Sequence, residues 1–487
     1  MFDLLVIGGG TAGIVGAKTA ARLGARVELV ERSRTGGDCL WTGCVPSKTL
    51  LSAAAGAVDA RHGTSGPVMF AEIRERIAAA IRTIEPNDSP ASLEETGVTV
   101  RQGAARFKGQ GRAEIGGETV YFRQALIATG SEPALPPITG LDQAPVVTSE
   151  TVWDLRELPA RLVIIGGGPI ACELGQAFAR LGSNVTMIAR SRILPREDPD
   201  AATIIRSSLT RDGVHVIEDS EVEEVITSAG GGQEPVSRVR LGDGRTFPAD
   251  MILVAAGRQP RSRGLGLELI GVDTDDKGQV LVGSNMRTSN PLVWAAGDVT
   301  QNPDFTHLAG VHASTAASNA VLGVRRAVST VVPRVTYTSP EVAAVGVTRP
   351  DGRRHRVSTI EHAHTDRAIT ESQDTGFTRL IIDRRGRILG GTIVGPRAGE
   401  SLGELTLAVH QKLTTRDLAG VTHPYPTYND ALWNAAIADA RASLKKPLVR
   451  ALTSLLIRLT RWRAVRRRHP EDRHAAQEPV RSSSCEA

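Results

Sequence analysis

The segment FDLLVIGGGTAGIVGAKTAARLGARVELVER, residues 2–32, decides the fold of the N-terminal region. An apolar run, a glycine turn, an alanine-rich stretch and a second apolar run predict the βαβ unit of dinucleotide-binding domains. Gly8 makes the tight turn, Gly10 lets a pyrophosphate approach the helix N-terminus, and Gly13 allows close packing of helix on strand. Glu31 ends the second strand, where a carboxylate can accept hydrogen bonds from ribose hydroxyls. We therefore predict a dinucleotide-binding domain here.

A second copy of this pattern, RLVIIGGGPIACELGQAFARLGSNVTMIAR, occupies residues 161–190. Small residues fill its three glycine positions: Gly166, Gly168 and Ala171. Its second strand ends in Arg190 instead of an acid, and Arg192 and Arg196 add positive charge nearby. A cation at this place can bind the 2′-phosphate of NADPH, which a carboxylate would repel. A solvated basic loop beside an NADH site is the alternative, and the pattern favours NADPH.

Two nucleotide folds in one chain indicate a relay between a tightly held flavin, FAD, and an exchangeable nicotinamide nucleotide. Two similar segments support it, ALIATGSEP at residues 125–133 and ILVAAGRQP at residues 252–260. Each ends a predicted strand in a turn of small residues, which makes three of these residues candidate cofactor contacts: Thr129, Gly130 and Gly257. Further on, VWAAGDVT brings a buried strand to Asp298, placed to bind a ribityl hydroxyl or the pyrophosphate region.

The length of 487 residues exceeds what one hydrophobic core usually supports, and 41% apolar residues provide ample core material. We expect an α/β protein with two Rossmann-like dinucleotide-binding domains and a C-terminal α+β domain, because alternating strands follow residue 333. The predicted segments are an FAD-binding domain at 1–158, an NAD(P)H-binding domain at 159–282, a central FAD-binding segment at 283–332, the α+β domain at 333–443 and a tail at 444–487.

The basic character of the chain belongs to its tail. The formal net charge is +5, yet residues 444–470 hold nine Lys or Arg and no acid, so the remaining chain is net negative. Binding of nucleic acid by the body is therefore not expected. No apolar run is long enough for a spanning helix and no signal peptide precedes the first strand, so we expect a cytoplasmic protein.

Within the tail, Leu448, Leu452, Leu455, Leu459 and Trp462 recur at helical spacing, and arginines fall on the other side. Such a helix can lie on the anionic inner face of a membrane or pack on the dimer, and both alternatives remain open. The composition beyond Arg468 predicts disorder.

Cys39 and Cys44 lie five positions apart in GGDCLWTGCVPSK, residues 36–48, of a chain with only 4 cysteines. In a long chain with so few cysteines, a close pair is more often catalytic or metal-binding than structural. Five residues of regular helix rise about 7.5 Å, more than the roughly 4.4–6.8 Å Cα separation of a disulfide. The pair can therefore bond only across a distorted backbone, which Gly43 and Pro46 permit, and a strained disulfide is easily reduced.

Together these motifs resemble the flavoprotein disulfide reductases, the class I pyridine nucleotide-disulfide oxidoreductases, over roughly residues 3–440. The segments RSRILPREDP and MRTSNPLVWAAGD are most similar to those of mercuric reductases. The resemblance implies a homodimer joined through the C-terminal domain. It also implies a redox-active Cys39–Cys44 disulfide in which Cys44 is the inner thiol that contacts the flavin and Cys39 is the outer thiol that exchanges with the acceptor. By the same resemblance, Lys48 lies near the reactive flavin nitrogen and pairs with Glu173.

The departure from the family lies in THPYPTYND. Members that reduce disulfides carry His-x-His-Pro-Thr here, whereas this chain keeps His423 but has Tyr425 at the second histidine position. Tyrosine, with a pKa near 10, is a poor proton shuttle at neutral pH. Mercuric reductases also have tyrosine there, which favours a soft metal acceptor such as Hg(II). They end, however, in an adjacent cysteine pair, and this chain ends with Cys485 alone.

The sequence leaves two other functions open. The same reduced flavin and dithiol can serve a quinone or a disulfide substrate, as in dihydrolipoamide dehydrogenase. A redox-sensing flavoprotein without turnover is the third hypothesis. A sensor has no need of a complete electron-transfer set. The joint presence of such a set argues against this hypothesis: Glu31, Cys39, Cys44, Lys48, Glu173 and Asp298.

Overall fold

The computed structural model describes residues 1–61, 69–228, 236–445 and 447–467. Within these ranges the strands form five sheets. The first is mainly parallel, the second is wholly parallel, and the C-terminal domain contains the largest of the antiparallel sheets. The predicted α/β architecture, with two nucleotide-binding folds and a C-terminal α+β domain, is confirmed. The terminal residues 468–487, including Cys485 and the segment expected to be disordered, lie outside the described ranges.

The first sheet grows from the βαβ unit at the N-terminus. Strands are ordered β3-β2-β1-β6-β5-β4, parallel from β3 to β6 and antiparallel beyond it. The elements of this region are β1 (Phe2–Ile7), α1 (Thr11–Arg22), β2 (Val27–Glu31), α2 (Gly37–Trp41), α3 (Cys44–Arg61), α4 (Phe70–Ile84), α5 (Pro90–Glu94), β3 (Val98–Gln102), β4 (Ala105–Gly109), β5 (Arg112–Ile115) and β6 (Glu118–Ile127). Leu4 and Leu5 are both fully buried and belong to separate core clusters, because adjacent strand residues point to opposite faces of a covered sheet.

The second sheet repeats the arrangement in the order β11-β10-β9-β15-β8, all parallel, and β12, β13 and β14 form a separate antiparallel sheet. Its region contains β7 (Ser131–Pro133), β8 (Val146–Thr148), β9 (Arg161–Ile165), α6 (Pro169–Leu181), β10 (Asn184–Ile188), α7 (Pro199–Arg211), β11 (Val214–Ile217), β12 (Val222–Ser228), β13 (Val236–Leu241), β14 (Thr246–Ala249), β15 (Met251–Val254) and β16 (Arg258–Pro260). Strand β8 belongs to this sheet, which therefore begins earlier in the chain than residue 159.

The two similar segments noted in the sequence meet in space. β7 and β16 pair with each other antiparallel, so they link the two nucleotide-binding regions. The chain then returns to the first sheet through β17 (Val293–Ala295), which pairs with β6, and α8 (Thr306–Leu322), which packs along α1. This return brings Asp298 and the start of α8 back to the first nucleotide-binding fold.

The C-terminal domain is an antiparallel sheet ordered β18-β19-β22-β21-β20 and covered by helices. Its elements are β18 (Arg334–Thr336), β19 (Glu341–Gly346), β20 (Arg356–Glu361), α9 (Asp366–Thr370), β21 (Phe377–Ile382), β22 (Ile388–Gly395), α10 (Ala398–His410), α11 (Thr415–Ala419) and α12 (Asp430–Leu444). A final helix, α13 (Pro447–Arg467), follows in the tail.

Candidate active site

The two cysteines approach each other because the helix between them is interrupted. α2 ends at Trp41 and α3 begins at Cys44, so the pair spans a break at Thr42 and Gly43 instead of a regular helix. A side chain at Gly43 would place its Cβ 2.8 Å from the carbonyl oxygen of Asp38, so this close turn requires glycine. Cys39 and Cys44 are free thiols in this structure and share a hydrogen bond.

That hydrogen bond makes the two thiols unequal. Donation from Cys39 is the main cause that lowers the pKa of Cys44 to about 6, and it raises the pKa of Cys39. The hydroxyl of Thr306, at the start of α8, lies 3.4 Å from Sγ of Cys44 and lowers its pKa further, as does the ammonium of Lys48. These interactions therefore favour the thiolate at Cys44 over the thiolate at Cys39.

The expected pairing of Lys48 with Glu173 is present in the structure. Lys48 lies one helical turn after Cys44, and its Nζ donates to Oε2 of Glu173 on α6 at 2.8 Å. The backbone N–H of Tyr337 donates to the other carboxylate oxygen of Glu173 at 2.9 Å, and Nζ of Lys48 lies 4.2 Å from the centroid of the Tyr337 ring. The ammonium is thus positioned by an ion pair and by a cation–π contact.

The first glycine turn has the form of a pyrophosphate cradle. A Cβ at Gly8 would lie 2.3 Å from the carbonyl oxygen of Ala128, and one at Gly13 would lie 1.7 Å from that of Gly8. A Cβ at Gly37, the first residue of α2, would lie 2.6 Å from Cα of Gly10. The helix that carries Cys39 therefore rests directly on the dinucleotide turn.

The polar groups around this turn fit FAD. Glu31 accepts hydrogen bonds from the N–H groups of Gly9 at 2.6 Å and Ser33 at 2.8 Å, and it borders a cavity of about 190 Å³. Thr129 has a buried hydroxyl without a hydrogen-bond partner in the described structure, as expected for a group that contacts a cofactor. Gly130, next to it, has φ +69°, a conformation that favours glycine.

Asp298 sits in a charged network between the two nucleotide-binding regions. Its Oδ2 accepts a hydrogen bond from Ser131 at 3.0 Å, and burial raises the pKa of its carboxyl group. Arg258 donates to Ser131 at 2.7 Å and pairs with Asp38, the residue before Cys39. Gly257, one of the predicted contacts, precedes this arginine with φ +143°. The network therefore joins β16 to the helix of the outer thiol.

The second glycine turn shows the same geometry as the first. A Cβ at Gly166 would lie 2.3 Å from the carbonyl oxygen of Ala255, whereas the space around a Cβ at Gly168 is open. Ala171 is fully buried in α6, where its small side chain permits close packing. The turn and the N-terminus of α6 thus leave room for a pyrophosphate.

The arginines near this turn differ in orientation. The side chain of Arg190 is 85% exposed, and Arg196 is also exposed. Arg192 instead donates to the carbonyl oxygens of Pro195 at 3.2 Å and Glu197 at 3.1 Å, so it holds its own loop together. Arg190 and Arg196 thus remain exposed after β10, and Nε of Arg190 lies 4.0 Å from a carboxylate oxygen of Glu221.

His423 and Tyr425 make their contacts within the C-terminal domain of this single chain. Nε2 of His423 lies 2.7 Å from Glu404, and its ring stacks on Trp433 with centroids 5.2 Å apart. Tyr425 is 70% exposed, and its hydroxyl donates to Asp366, which raises the pKa of that hydroxyl. The structure therefore does not bring these two residues to the thiol pair of the same protomer.

The tail helix α13 leaves its apolar residues in solvent. Leu448, Leu452, Leu455 and Trp462 are all more than half exposed, and Leu459 is 42% exposed. Along the part of the chain that the structure describes, no helix combines the length and apolar character needed to cross a membrane. The tail forms a helix, as predicted, and this helix has few contacts with the body.

Sequence reasoning missed Thr306, Tyr337, Asp38 and Arg258. Thr306 lies 262 positions from Cys44, and Tyr337 lies 164 positions from Glu173, so no local pattern connects them. Asp38 and Arg258 carried a local signal, because Asp38 directly precedes Cys39 in the cysteine motif and Arg258 directly follows Gly257 in the segment ILVAAGRQP.

Comparison with known proteins gives consistent matches. The family profile described as pyridine nucleotide-disulphide oxidoreductase matches residues 2–313, and the profile of its dimerisation domain matches residues 332–436. A mercuric reductase of Streptomyces lividans is 36% identical over 462 residues, which cover 89% of this chain and 95% of the relative. A dihydrolipoyl dehydrogenase of Thermus scotoductus is 36% identical over 460 residues, 90% of this chain and 97% of the relative.

Among solved structures, the Cu(II) complex of the HOCl-induced flavoprotein disulfide reductase RclA from Escherichia coli has a TM-score of 0.80 and 27% identity. The match covers 89% of this chain and 99% of that one.

Proposed function

Because the chain belongs to the pyridine nucleotide-disulphide oxidoreductase family, whose members use FAD and NAD(P)H, we propose that it is an NADPH-dependent reductase of a thiophilic metal ion such as Hg(II). Overall, NADPH and Hg(II) would give NADP⁺, a proton and Hg(0), with Cys39 and Cys44 as the thiol pair that binds the metal ion. The observation that carries this proposal is the pair of free thiols, Cys39 and Cys44, with the hydroxyl of Thr306 3.4 Å from Sγ of Cys44.

Each part of the site has a role in this proposal. FAD, when bound, accepts a hydride from NADPH and reduces the disulfide. Cys44 is the inner thiol, whose negative charge is stabilised by the hydroxyl of Thr306 and by the ammonium of Lys48. Cys39 is the outer thiol, and the two sulfurs together offer the soft ligands that Hg(II) prefers. Glu173 holds Lys48 in place.

The cofactor contacts follow the two glycine turns. In this proposal Gly8, Gly10, Gly13, Glu31, Thr129 and Asp298 belong to the FAD site, with Gly130 and Gly257 at the turns between the two regions. Gly166, Gly168, Ala171, Arg190 and Arg196 form the site for NADPH. The division of the chain at residues 158, 282, 332 and 443 is part of the same proposal.

Two observations favour a metal acceptor over a disulfide. Tyr425 stands where disulfide-reducing members have histidine, and hydrogen bonding to Asp366 makes its hydroxyl a still weaker proton donor at neutral pH. Among the similar proteins, several relatives are named mercuric reductase and one solved structure is a Cu(II) complex. In a homodimer, Tyr425 would line the path to the thiol pair of the partner subunit.

The test is oxidation of NADPH by the purified, FAD-loaded protein with Hg(II) and excess small thiol. We expect sustained oxidation that depends on Hg(II) and is lost in the Cys39→Ser variant. The matched control, Cys485→Ser, changes the lone terminal cysteine and should keep the activity. Wild-type protein that forms the thiolate-to-flavin absorption band yet does not turn over Hg(II) would contradict the metal proposal.

The runner-up is reduction of a quinone or a disulfide by the same dithiol, and the dihydrolipoyl dehydrogenase relative supports it. NADPH oxidation with a quinone or a lipoamide-type disulfide in place of Hg(II) would establish this alternative. A redox sensor, by contrast, would be reduced once by stoichiometric NADPH and then stop with every acceptor.

We also propose that the protein is a homodimer, since the dimerisation domain of the family matches residues 332–436. Sedimentation equilibrium would test this, and a mass near the 51.7 kDa of one chain would contradict it.

The tail helix α13 is proposed to lie on an anionic membrane surface. Its exposed leucines form one side, and the arginines on the other side, including Arg450, Arg458 and Arg461, complement anionic lipid headgroups. Removal of residues 444–487 is expected to abolish sedimentation with anionic vesicles while the protein remains dimeric. Equal sedimentation of both forms would contradict the membrane proposal, and loss of the dimer would favour packing of α13 on the second copy.

A further inference from the structure

We infer that three arginines of the C-terminal domain hold the loop that selects NADPH over NADH: Arg334, Arg349 and Arg379. The selectivity loop is defined here as residues 190–200, which comprise most of the connection from β10 to α7 and the first two residues of α7. This inference rests on the proposed preference for NADPH, and it assigns part of that preference to a domain that has no nucleotide fold.

The inner side of the selectivity loop is fixed to the NAD(P)H-binding fold. The N–H of Leu194 donates to the carbonyl oxygen of Gly167 at 2.8 Å, and that of Ile193 donates to Oε1 of Glu218 at 2.7 Å. Both side chains are almost completely buried. The loop therefore starts beside the second glycine turn, where the pyrophosphate of a dinucleotide would bind.

The outer side of the loop is bound by the C-terminal domain. Nε of Arg334 donates to Glu197 at 2.7 Å, and Arg379 donates to Asp198 at 2.8 Å and to Asp200 at 2.9 Å. Both Glu197 and Asp198 are buried, so these pairs are more rigid than ordinary exposed ion pairs.

Arg349 completes the attachment through the backbone. Its Nη2 donates to the carbonyl oxygen of Pro195 at 2.6 Å, and Arg192 donates to the same oxygen from within the loop. Arg196 thus lies between two residues, Pro195 and Glu197, that both contact the C-terminal domain, while its own side chain is exposed.

This arrangement preorganises Arg196 for the 2′-phosphate of NADPH. A loop that is already held loses less conformational freedom when its arginine binds a phosphate, and such ordering costs about 0.5–1.5 kcal/mol for each immobilised side chain. NADH has no 2′-phosphate, so its binding does not depend on the position of Arg196 in the loop. Loss of the contacts between the C-terminal arginines and the loop should therefore weaken the binding of NADPH and leave the binding of NADH unchanged.

The experiment compares Arg349→Ala with the exposed Arg353→Ala as a matched control from the same domain. For Arg349→Ala we expect a rise of about 2- to 10-fold in the KM for NADPH, the range that corresponds to this ordering cost. The kcat with NADPH and the KM for NADH should not change. Isothermal titration with 2′,5′-ADP should show the same loss, whereas 5′-AMP should bind all variants equally.

A second variant protects the test against simple misfolding. Arg334→Gln alone leaves Glu197 buried without its partner, so the double variant Glu197→Gln/Arg334→Gln removes both charges together. It should again weaken 2′,5′-ADP binding and leave the FAD content intact. Unchanged affinity in both Arg349→Ala and the double variant would overturn the inference.

The proposed NADPH preference fails in a different way. If wild-type protein binds 2′,5′-ADP no better than 5′-AMP, the preference itself is wrong and the inference falls with it. If Arg196→Ala keeps the difference, the preference stands but its assignment to Arg196 is wrong, and the inference falls on that ground. The remaining case is that wild type prefers 2′,5′-ADP over 5′-AMP and Arg196→Ala does not. Unchanged affinity in Arg349→Ala and in the double variant would then contradict only the role of the C-terminal arginines.

Discussion

Replacement of Thr306 by valine is expected to raise the pKa of the Cys44 thiol by about one unit. The Thr306 hydroxyl lies 3.4 Å from Sγ of Cys44 and stabilises the thiolate. A hydrogen bond to a charged group contributes about 1.5–3 kcal/mol, and one pKa unit corresponds to about 1.4 kcal/mol. The long contact favours the lower end of that range, so the pKa should move from about 6 towards about 7.

The assay is the pH dependence of the thiolate-to-flavin absorption band in the two-electron-reduced protein. Because the band requires the thiolate, it is present above the pKa of Cys44 and disappears as the pH falls through it. We expect this loss near pH 6 in the wild type and about one unit higher in Thr306→Val. Rates of alkylation by iodoacetamide should give the same midpoints.

Thr306→Ser is the matched control because it keeps the hydroxyl and removes only a methyl group. Its midpoint should stay near that of the wild type. An unchanged midpoint in Thr306→Val, or an equal shift in Thr306→Ser, would refute the argument that this hydroxyl stabilises the Cys44 thiolate.

Three further substitutions probe other parts of the structure. Lys48→Met removes the ammonium that is proposed to lie beside the flavin and should slow flavin reduction by NADPH about 100-fold in stopped-flow absorbance, whereas Lys48→Arg should keep much of the rate. Glu31→Ala should raise the dissociation constant of FAD about tenfold by fluorescence titration, since a charge-assisted hydrogen bond is lost; equal affinity would contradict its role. Arg101→Met leaves the fully buried Glu28 unpaired and should lower the free energy of unfolding by about 3 kcal/mol in denaturant titrations, and Arg101→Met/Glu28→Leu should restore most of it.

The features that depend on a few neighbouring residues could be predicted from the sequence. Gly8 with φ +109° and Gly166 with φ +141° adopt backbone conformations that favour glycine, and Gly13 is required by the backbone of Gly8 in the same βαβ unit. The order of residues therefore reveals both nucleotide-binding folds. The break between Cys39 and Cys44 follows from Gly43 for the same local reason. These signals, with the family resemblance, were sufficient for the architecture and for the class of oxidoreductase.

The tertiary structure alone decided which distant groups act on the thiols and on the selectivity loop. Thr306 reaches Cys44 because β17 and α8 return to the first sheet, and Tyr337 reaches Lys48 because the C-terminal domain packs on α6. Arg334 meets Glu197 across 137 positions of chain. Local sequence specifies turns and helix ends through backbone sterics, whereas contacts between remote segments arise only when whole elements pack together, and no short pattern encodes that packing.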